Sequence, residues 1–469
     1  MKIYAPNIHV FAFQLYKGAN IDGNQLGNDL NLIWESGDAI VKETLHYDLK
    51  LSQRIDVNKK PEFTKVDILN DAEVVNDNYA VDFEGKITPN PNQDILVKGF
   101  AYPFRISDSY GLWLNLRRPE KENNQDTEEL EVDFFQLLNP NNCLIFPEHP
   151  LFIGQTILIT AWLNNAKNKN NSKQIAAECL QQIFPDQNTS PPFYRQGELF
   201  GSPIFEYGLP TQSSKYQQVL IWLFTDAQAD QLFNQCYREL LDLFFYRNKI
   251  IKTYQDSRVI YQQLDAAYRQ IESEVDNIPE PENTQGVTSK YLKALQKQLK
   301  AFPKLAFQYN RLVLNLEDAQ NTIAINADNY NNKLEQIKSS LNGENLDFIE
   351  NFLNKSCVTF QRQIQADLGY FQHGSQLLDQ AINSIRGIVE IEQTESDRSL
   401  EKTIQILGIG FGGGGIVSGV VTSNIEKINR PIAFISPHNP PHPFYASLIL
   451  SIIATCLFII FGWLITKRK

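Results

Sequence analysis

The chain is poor in the residues that build most enzyme and metal sites. Its five cysteines, Cys143, Cys179, Cys236, Cys357 and Cys456, are scattered and never form a CxxC pair. That spacing excludes a zinc knuckle or a redox dithiol and suits a reducing compartment. The six histidines, His9, His46, His149, His373, His438 and His442, form no His-x-x-x-His on a stretch that can be helical. There is no Gly-x-Ser-x-Gly elbow, and no Gly-Lys-Ser/Thr follows the glycine run 412–415. No enzymatic activity is expected. Positive charge is short as well, with 43 Lys and Arg against 54 Asp and Glu and a net charge of −11. A protein that tracks a phosphate backbone needs the opposite balance, so no nucleic-acid partner is expected. The opening Met1-Lys2 leads into a mixed stretch without an apolar h-region, so no signal peptide is expected.

Uncharged runs of membrane-spanning length are absent until the last 67 residues, which hold two, Thr403–Ile425 and Phe444–Thr466, each of 23 residues. At about 1.5 Å per residue, ~20 helical residues cross the ~30 Å hydrocarbon layer. The second run is rich in Ile, Leu and Phe, with Trp463 near one end and Phe444 and Tyr445 near the other, where amphipathic rings meet the membrane interface. The first carries seven glycines. Glycine disfavours helix in water by about 1 kcal/mol each. In lipid the small-xxx-small pairs Gly408/Gly412, Gly410/Gly414 and Gly415/Gly419 let helices approach closely. The alternative for this run is a buried or re-entrant glycine loop, with the last run as a lone tail anchor. Lys467, Arg468 and Lys469 follow directly and place the C-terminus in the cytoplasm. Two crossings then keep the N-terminal body there too, in an inner or plasma membrane protein.

Residues 1–224 read mainly as strands, at Ile8–Tyr16, Ala80–Thr88, Ile95–Ile106, Tyr110–Arg118, Ile157–Leu163 and Gln217–Phe224, with a helix at Lys173–Ile183. This predicts an α/β or α+β domain. From Thr225 or Asp226, either of which can cap a helix, the period turns helical through three segments at 226–278, 289–341 and 345–402. In the middle one, Leu295, Phe302, Tyr309, Leu316, Ile323, Tyr330 and Ile337 recur every seven residues, with Leu299, Ala306, Val313, Gln320, Ala327, Leu334 and Leu341 four further on. That seam predicts a coiled-coil stalk shared between subunits, or a helical bundle within one chain. Pro303 predicts a kink or a new start. If the third segment continues unbroken into the first span, one helix runs from Asn345 to Ile425 over roughly 120 Å. The expected order is a cytoplasmic domain (1–224), a long-helix stalk (226–402), a span (403–425), an external loop (426–443), a second span (444–466) and a basic tail (467–469).

This order resembles the CorA family of two-span divalent-cation channels, most closely over Arg398–Lys469. The resemblance implies a pentameric homo-oligomer with the first span lining a pore, and membrane lipid as its surroundings. The family closes its first span with Gly-Met-Asn; here the place reads Thr422-Ser423-Asn424, and Met1 is the sole methionine. The connector carries Lys427 and Arg430 against Glu426, a poor lure for divalent cations. Altered or lost magnesium selectivity is therefore expected, and no cofactor beyond a divalent cation as cargo. Pore-lining candidates are Gln405, Gly412, Gly413, Gly414, Gly415, Ser418, Thr422, Ser423 and Asn424. His438 and His442, in the segment HNPPH, are weak metal candidates because the prolines forbid one helical face. Arg117, Arg118 and Arg195 could hold a small anionic ligand in the N-terminal domain. Two other readings stand beside the channel. One is a ligand-gated membrane effector of the defence type that senses a signalling nucleotide. The other is a non-conducting membrane-anchored scaffold.

Overall fold

A computed structural model of the chain describes residues 1–16, 31–59, 65–90, 93–163, 171–186, 190–212, 218–278, 289–393, 408 and 443–468, with side chains near the C-terminus described between Ala446 and Ile460. The strands are β1 (Lys2–Leu15), β2 (Lys65–Asp67), β3 (Val81–Asn90), β4 (Gln93–Ile106), β5 (Ser109–Arg117), the two-residue β6 (Lys121–Glu122), β7 (Gln125–Asp126) and β8 (Leu130–Glu131), β9 (Phe152–Trp162), β10 (Phe193–Leu199), β11 (Ser202–Tyr207) and β12 (Gln218–Phe224). The helices are α1 (Leu32–Leu45), α2 (Leu51–Arg54), α3 (Phe134–Leu137), α4 (Ser172–Ile183), α5 (Ala227–Asp276), α6 (Ser289–Ser340), α7 (Asp347–Asn351), α8 (Val358–Gln393) and α9 (Pro443–Arg468). A π-helical turn, Phe352–Cys357, joins α7 to α8.

The described residues divide into two compact units. The first holds Met1–Asp265 and Arg311–Phe371; the second holds Ala266–Asn310 and Gln372–Lys469. The division falls within the long helices.

In the first unit the sheet runs β10-β11-β12-β9-β1-β5-β4-β2, with β3 also on β4 and β8 on β1. The β12–β9 pair is parallel and the other pairs are antiparallel. This is the mixed sheet-and-helix domain, α/β or α+β, that the sequence predicts. Side chains alternate across a strand, and β1 shows what each face meets. Ile8, Val10 and Ala12 point into the core shared with Ile33, Ile40, Val41, Ile175 and Ile183 of α1 and α4. His9, Phe11 and Phe13 face α5, with ring centroids 5.6 Å from Phe233, 4.9 Å from Phe244 and 5.4 Å from Phe245 respectively. A sheet covered on both faces needs apolar residues at consecutive positions, which is why β12 reads QVLIWLF and is buried throughout.

Two glycines let aromatic rings lie on the strands. A Cβ on Gly111 would stand 2.2 Å from Phe104 Cζ, and one on Gly99 would stand 2.2 Å from the Asn115 carbonyl oxygen. Gly111→Ala must therefore displace the buried Phe104 ring. We expect a loss of about 1–3 kcal/mol in urea unfolding; an unchanged midpoint would mean the ring shifts freely.

Asp226 caps α5, its Oδ1 accepting from the N–H of Gln228 at 2.9 Å and of Ala229 at 3.3 Å. Helix α6 passes through Pro303 without ending and closes at Asn342 and Gly343, both left-handed at φ 57° and 81°. All seven first-register residues of its seam, from Leu295 to Ile337, are buried within one chain. The same holds for Cys357, Phe360, Ile364, Phe371, Leu378, Ile385 and Val389 of the third segment. The seam thus has its apolar surroundings inside the monomer.

In the second unit α8 ends at Gln393. A Cβ on Gly408 would stand 2.7 Å from Arg386 Nη1, whereas 22 residues of straight helix would separate the two by about 33 Å. Arg386 and Gly408 thus lie closer than one straight helix would hold them, and the rest of 394–425 lies outside the described residues.

Candidate functional site

Most residues proposed from the sequence for a pore or metal lie outside the described residues: Gln405, Gly412, Gly413, Gly414, Gly415, Ser418, Thr422, Ser423, Asn424, His438, His442 and Lys469. Lys467 and Arg468 end the backbone of α9. Over the described residues no helix is long and apolar enough to cross a membrane. Within α9 the large apolar side chains Ile452, Ile453, Leu457 and Ile460 are exposed, at 41–59%. Among the described residues no cluster of three or more His, Cys, Asp or Glu side chains could hold a metal ion.

The three arginines proposed for an anion fare differently. Arg118 Nη1 donates to Glu122 Oε2 at 2.8 Å and to the Leu96 carbonyl at 3.1 Å, so it ties strand ends together. Arg117 ends β5 and is exposed. Arg195 belongs to a buried polar network that crosses four strands.

That network centres on Glu206 of β11, which is 1% exposed. Its Oε2 accepts from Arg195 Nε at 2.6 Å; its Oε1 accepts from Arg247 Nη2 at 2.9 Å and from Gln218 Nε2 at 2.7 Å. Strand register produces the first of these contacts, since Arg195 lies opposite Glu206 beside an irregularity in the β10–β11 ladder. Gln218 passes the chain onward. Its Oε1 accepts from Thr156 Oγ1 at 3.0 Å, and Thr156 Oγ1 accepts from Asn248 Nδ2 at 2.9 Å. Thr156 and Gln218 are register partners in the parallel β9–β12 pair.

The segment from α7 through the π turn forms the roof. Arg195 lies 4.2 Å from the Phe348 ring centroid, and Arg247 lies 5.0 Å from that of Phe352. Phe348 sits against Gly197, where a Cβ would come within 2.7 Å of its ring. Tyr330 of α6 packs 5.6 Å from Phe352, and its hydroxyl donates to the Ile349 carbonyl at 3.0 Å. Burial pushes the Arg247 guanidinium below its ordinary value, and the Glu206 charge works against that fall. Burial also pushes the Cys357 thiol up to about 12, so it is no nucleophile. The cluster offers charge and hydrogen-bond donors, with no acid–base or nucleophilic pair.

Glu206 and Arg247 were not singled out from the sequence, although a signal exists. Arg247 falls on the apolar stripe of α5 that runs through Leu240, Phe244 and Ile251, all buried. A charge on such a stripe is buried by construction and must find a partner.

No family model, no curated protein and no solved structure matches this chain. Its function is therefore argued from its own residues.

Proposed function

We propose that the protein is an oligomeric integral membrane protein that passes ions, built on the two-span plan of CorA-like channels with magnesium selectivity lost. The observation that carries this reading is the last helix. Four large aliphatic side chains, Ile452, Ile453, Leu457 and Ile460, stand exposed on one side of α9, within a run of 23 residues that holds no charge. Such a surface is costly in water and is matched by lipid or by apolar helices. The glycine-rich run 403–425 supports a pore more than a plain anchor does, because small residues permit close helix approach and expose carbonyls to a water-filled lumen. On this reading both termini are cytoplasmic, the sheet unit and long helices lie inside the cell, and the residues from Gln405 to Asn424 line the path.

The test is ion flux through purified full-length protein in liposomes, comparing Mg²⁺, K⁺ and Cl⁻. Flux without preference for Mg²⁺ is expected. Replacing Gly413 and Gly414 by Leu adds eight carbon atoms per subunit to the most glycine-rich part of the run, and a reduction of flux by at least about tenfold is expected. Flux that is strongly Mg²⁺-selective would return the protein to ordinary magnesium transport. Absence of flux for every ion, with unchanged membrane insertion, would favour the scaffold reading.

A second reading, the ligand-gated effector, draws on the roofed cluster around Arg247. The cluster joins the sheet to the segment leading into α8, so a ligand there would act on the helix that precedes the uncharged run 403–425 in the chain.

A further inference from the structure

We propose that the N-terminal part of α6 is a docking surface for the anionic phospholipid headgroups of the cytoplasmic leaflet; the inference rests on the membrane reading above. Its ground is charge. The chain as a whole is acidic at −11, yet from Ser289 to Arg311 it holds six Lys and Arg and no Asp or Glu. Positive charge at the start of a helix opposes the helix dipole, so these residues are not there to stabilise α6. At about 100° per residue, Lys293, Lys297, Lys300 and Lys304 fall within an arc of roughly 60°, and all four are exposed. Among the described residues none of the four forms an ion pair. Phe307 stands beside that arc one turn further on and is 54% exposed. The opposite face is spent on packing, with Leu295, Leu299 and Phe302 buried. Helices α5 and α8 bring Glu272, Glu274, Asp276 and Asp379 to this end of the second unit. They meet α6 on its other side, however. Gln298 Nε2 donates to the Asn277 carbonyl of the α5 end at 3.0 Å, and Tyr309 lies against Gly374 of α8. Both residues lie roughly 100–180° round the helix from the lysines.

The place of the stripe sets its occupant. Helices α6 and α8 run antiparallel, since Tyr330 packs on Phe352, just before α8, and Tyr309 meets Gly374 further along it. Arg386 is twelve residues beyond Gly374 and Lys297 twelve before Tyr309, so the two stand at the same height along the helices. Arg386 in turn lies against Gly408, inside the uncharged run 403–425. The lysines therefore stand at the height of the run read as the first span. The cytoplasmic leaflet carries anionic lipids, which attract Lys within a Debye length of about 8–10 Å. Lysine offers a point charge on a flexible stem, which suits mobile headgroups better than one shaped anion. Phe307 adds an apolar ring of the kind that settles at the boundary of headgroups and acyl chains. The acidic balance of the chain disfavours a nucleic acid in the same place.

The experiment places full-length protein in nanodiscs of phosphatidylcholine, with and without phosphatidylserine. The acetylation rate of each lysine by a water-soluble reagent is then followed by peptide mass spectrometry. With phosphatidylserine present, Lys293, Lys297, Lys300 and Lys304 are expected to react about fivefold more slowly than in phosphatidylcholine alone. Lys50 and Lys86, exposed in the sheet unit, are expected to react alike in both discs. Raising the salt to about 1 M, where the Debye length falls to ~3 Å, is expected to abolish the difference. Equal rates in the two discs, with the protein still in the disc, overturn the proposal and leave the membrane reading standing. Slow reaction in both lipids and in detergent overturns it as well, and assigns the stripe to an acidic face of a second copy of the chain. Protein that does not enter the disc overturns the membrane reading, and the proposal with it.

Discussion

Replacing Glu206 by Ala is expected to cost the sheet unit about 3–5 kcal/mol. The carboxylate is the common acceptor for Arg195, Arg247 and Gln218. Arg195 keeps 18% of its side chain exposed and can turn toward solvent, but Arg247 cannot. Most of the cost therefore falls on one stranded guanidinium. This gives the prediction a second arm. Removing both charges, as Glu206→Leu with Arg247→Met, takes away the uncompensated ion and replaces it with apolar volume in a site already bordered by Phe352 and Tyr330. The double change should recover more than half of the loss, because a buried pair exchanged for hydrophobic groups is often near neutral. Urea unfolding followed by tryptophan fluorescence measures both, since Trp222 and Trp113 sit in the same sheet. Equal costs for the single and double variants would mean that the ion pair stabilises by its own Coulomb energy and that desolvation is minor.

How much of this was legible in the sequence depends on whether the signal was local. β12 and β9 were plain from their apolar, β-branched runs, and the α6 seam was plain from its seven-residue repeat, because each signal lies within one element. Helix α1 was not recognised, although Ile33, Trp34, Gly37, Ile40, Val41 and Leu45 have helical spacing and are buried. Gly37 weakens the helical pattern, and its reason is tertiary: a Cβ there would stand 2.6 Å from Leu112 Cδ2. The β10–β11 hairpin was also missed. Its strand FYRQGEL is largely polar, and its turn at Phe200 and Gly201 uses left-handed backbone, φ 50° and 74°, with a phenylalanine where glycine or asparagine would have signalled it. The seam of α6 was legible but its partner was not, since periodicity says that a face is buried and never against which chain. The Glu206 cluster was illegible for a related reason. Arg195, Glu206, Gln218, Thr156 and Arg247 span 92 positions of sequence and meet only through the register of β9–β12 and β10–β11. The pore candidates from Gln405 to Asn424 rest on hydropathy and on a resemblance of order, and the flux experiment decides them.

Acidification is the second large effect expected, and His9 carries it. Burial in the sheet–α5 interface, with a smaller push from Arg117, holds its imidazole down at about 3, against 6.5 for the free side chain. Its Nδ1 accepts from Trp113 Nε1 at 3.1 Å and lies 3.2 Å from Asn115 Nδ2, contacts that require an unprotonated nitrogen there. Between these two values the unfolded chain binds a proton that the folded chain refuses. Stability is therefore complete above about pH 6.5 and falls as the pH drops toward 3. The slope is about 1.4 kcal/mol per pH unit, so the full window corresponds to ~5 kcal/mol as an order of magnitude. Carboxylates elsewhere also respond to acid, and a difference measurement removes them. His9→Gln keeps an amide oxygen to accept from Trp113 and cannot take up the proton. Its stability relative to wild type should rise by about 2–3 kcal/mol between pH 6.5 and 4.5. Parallel pH profiles for the two proteins would show that the imidazole titrates alike folded and unfolded, and that the sheet opens to water at His9 before the rest of the unit unfolds.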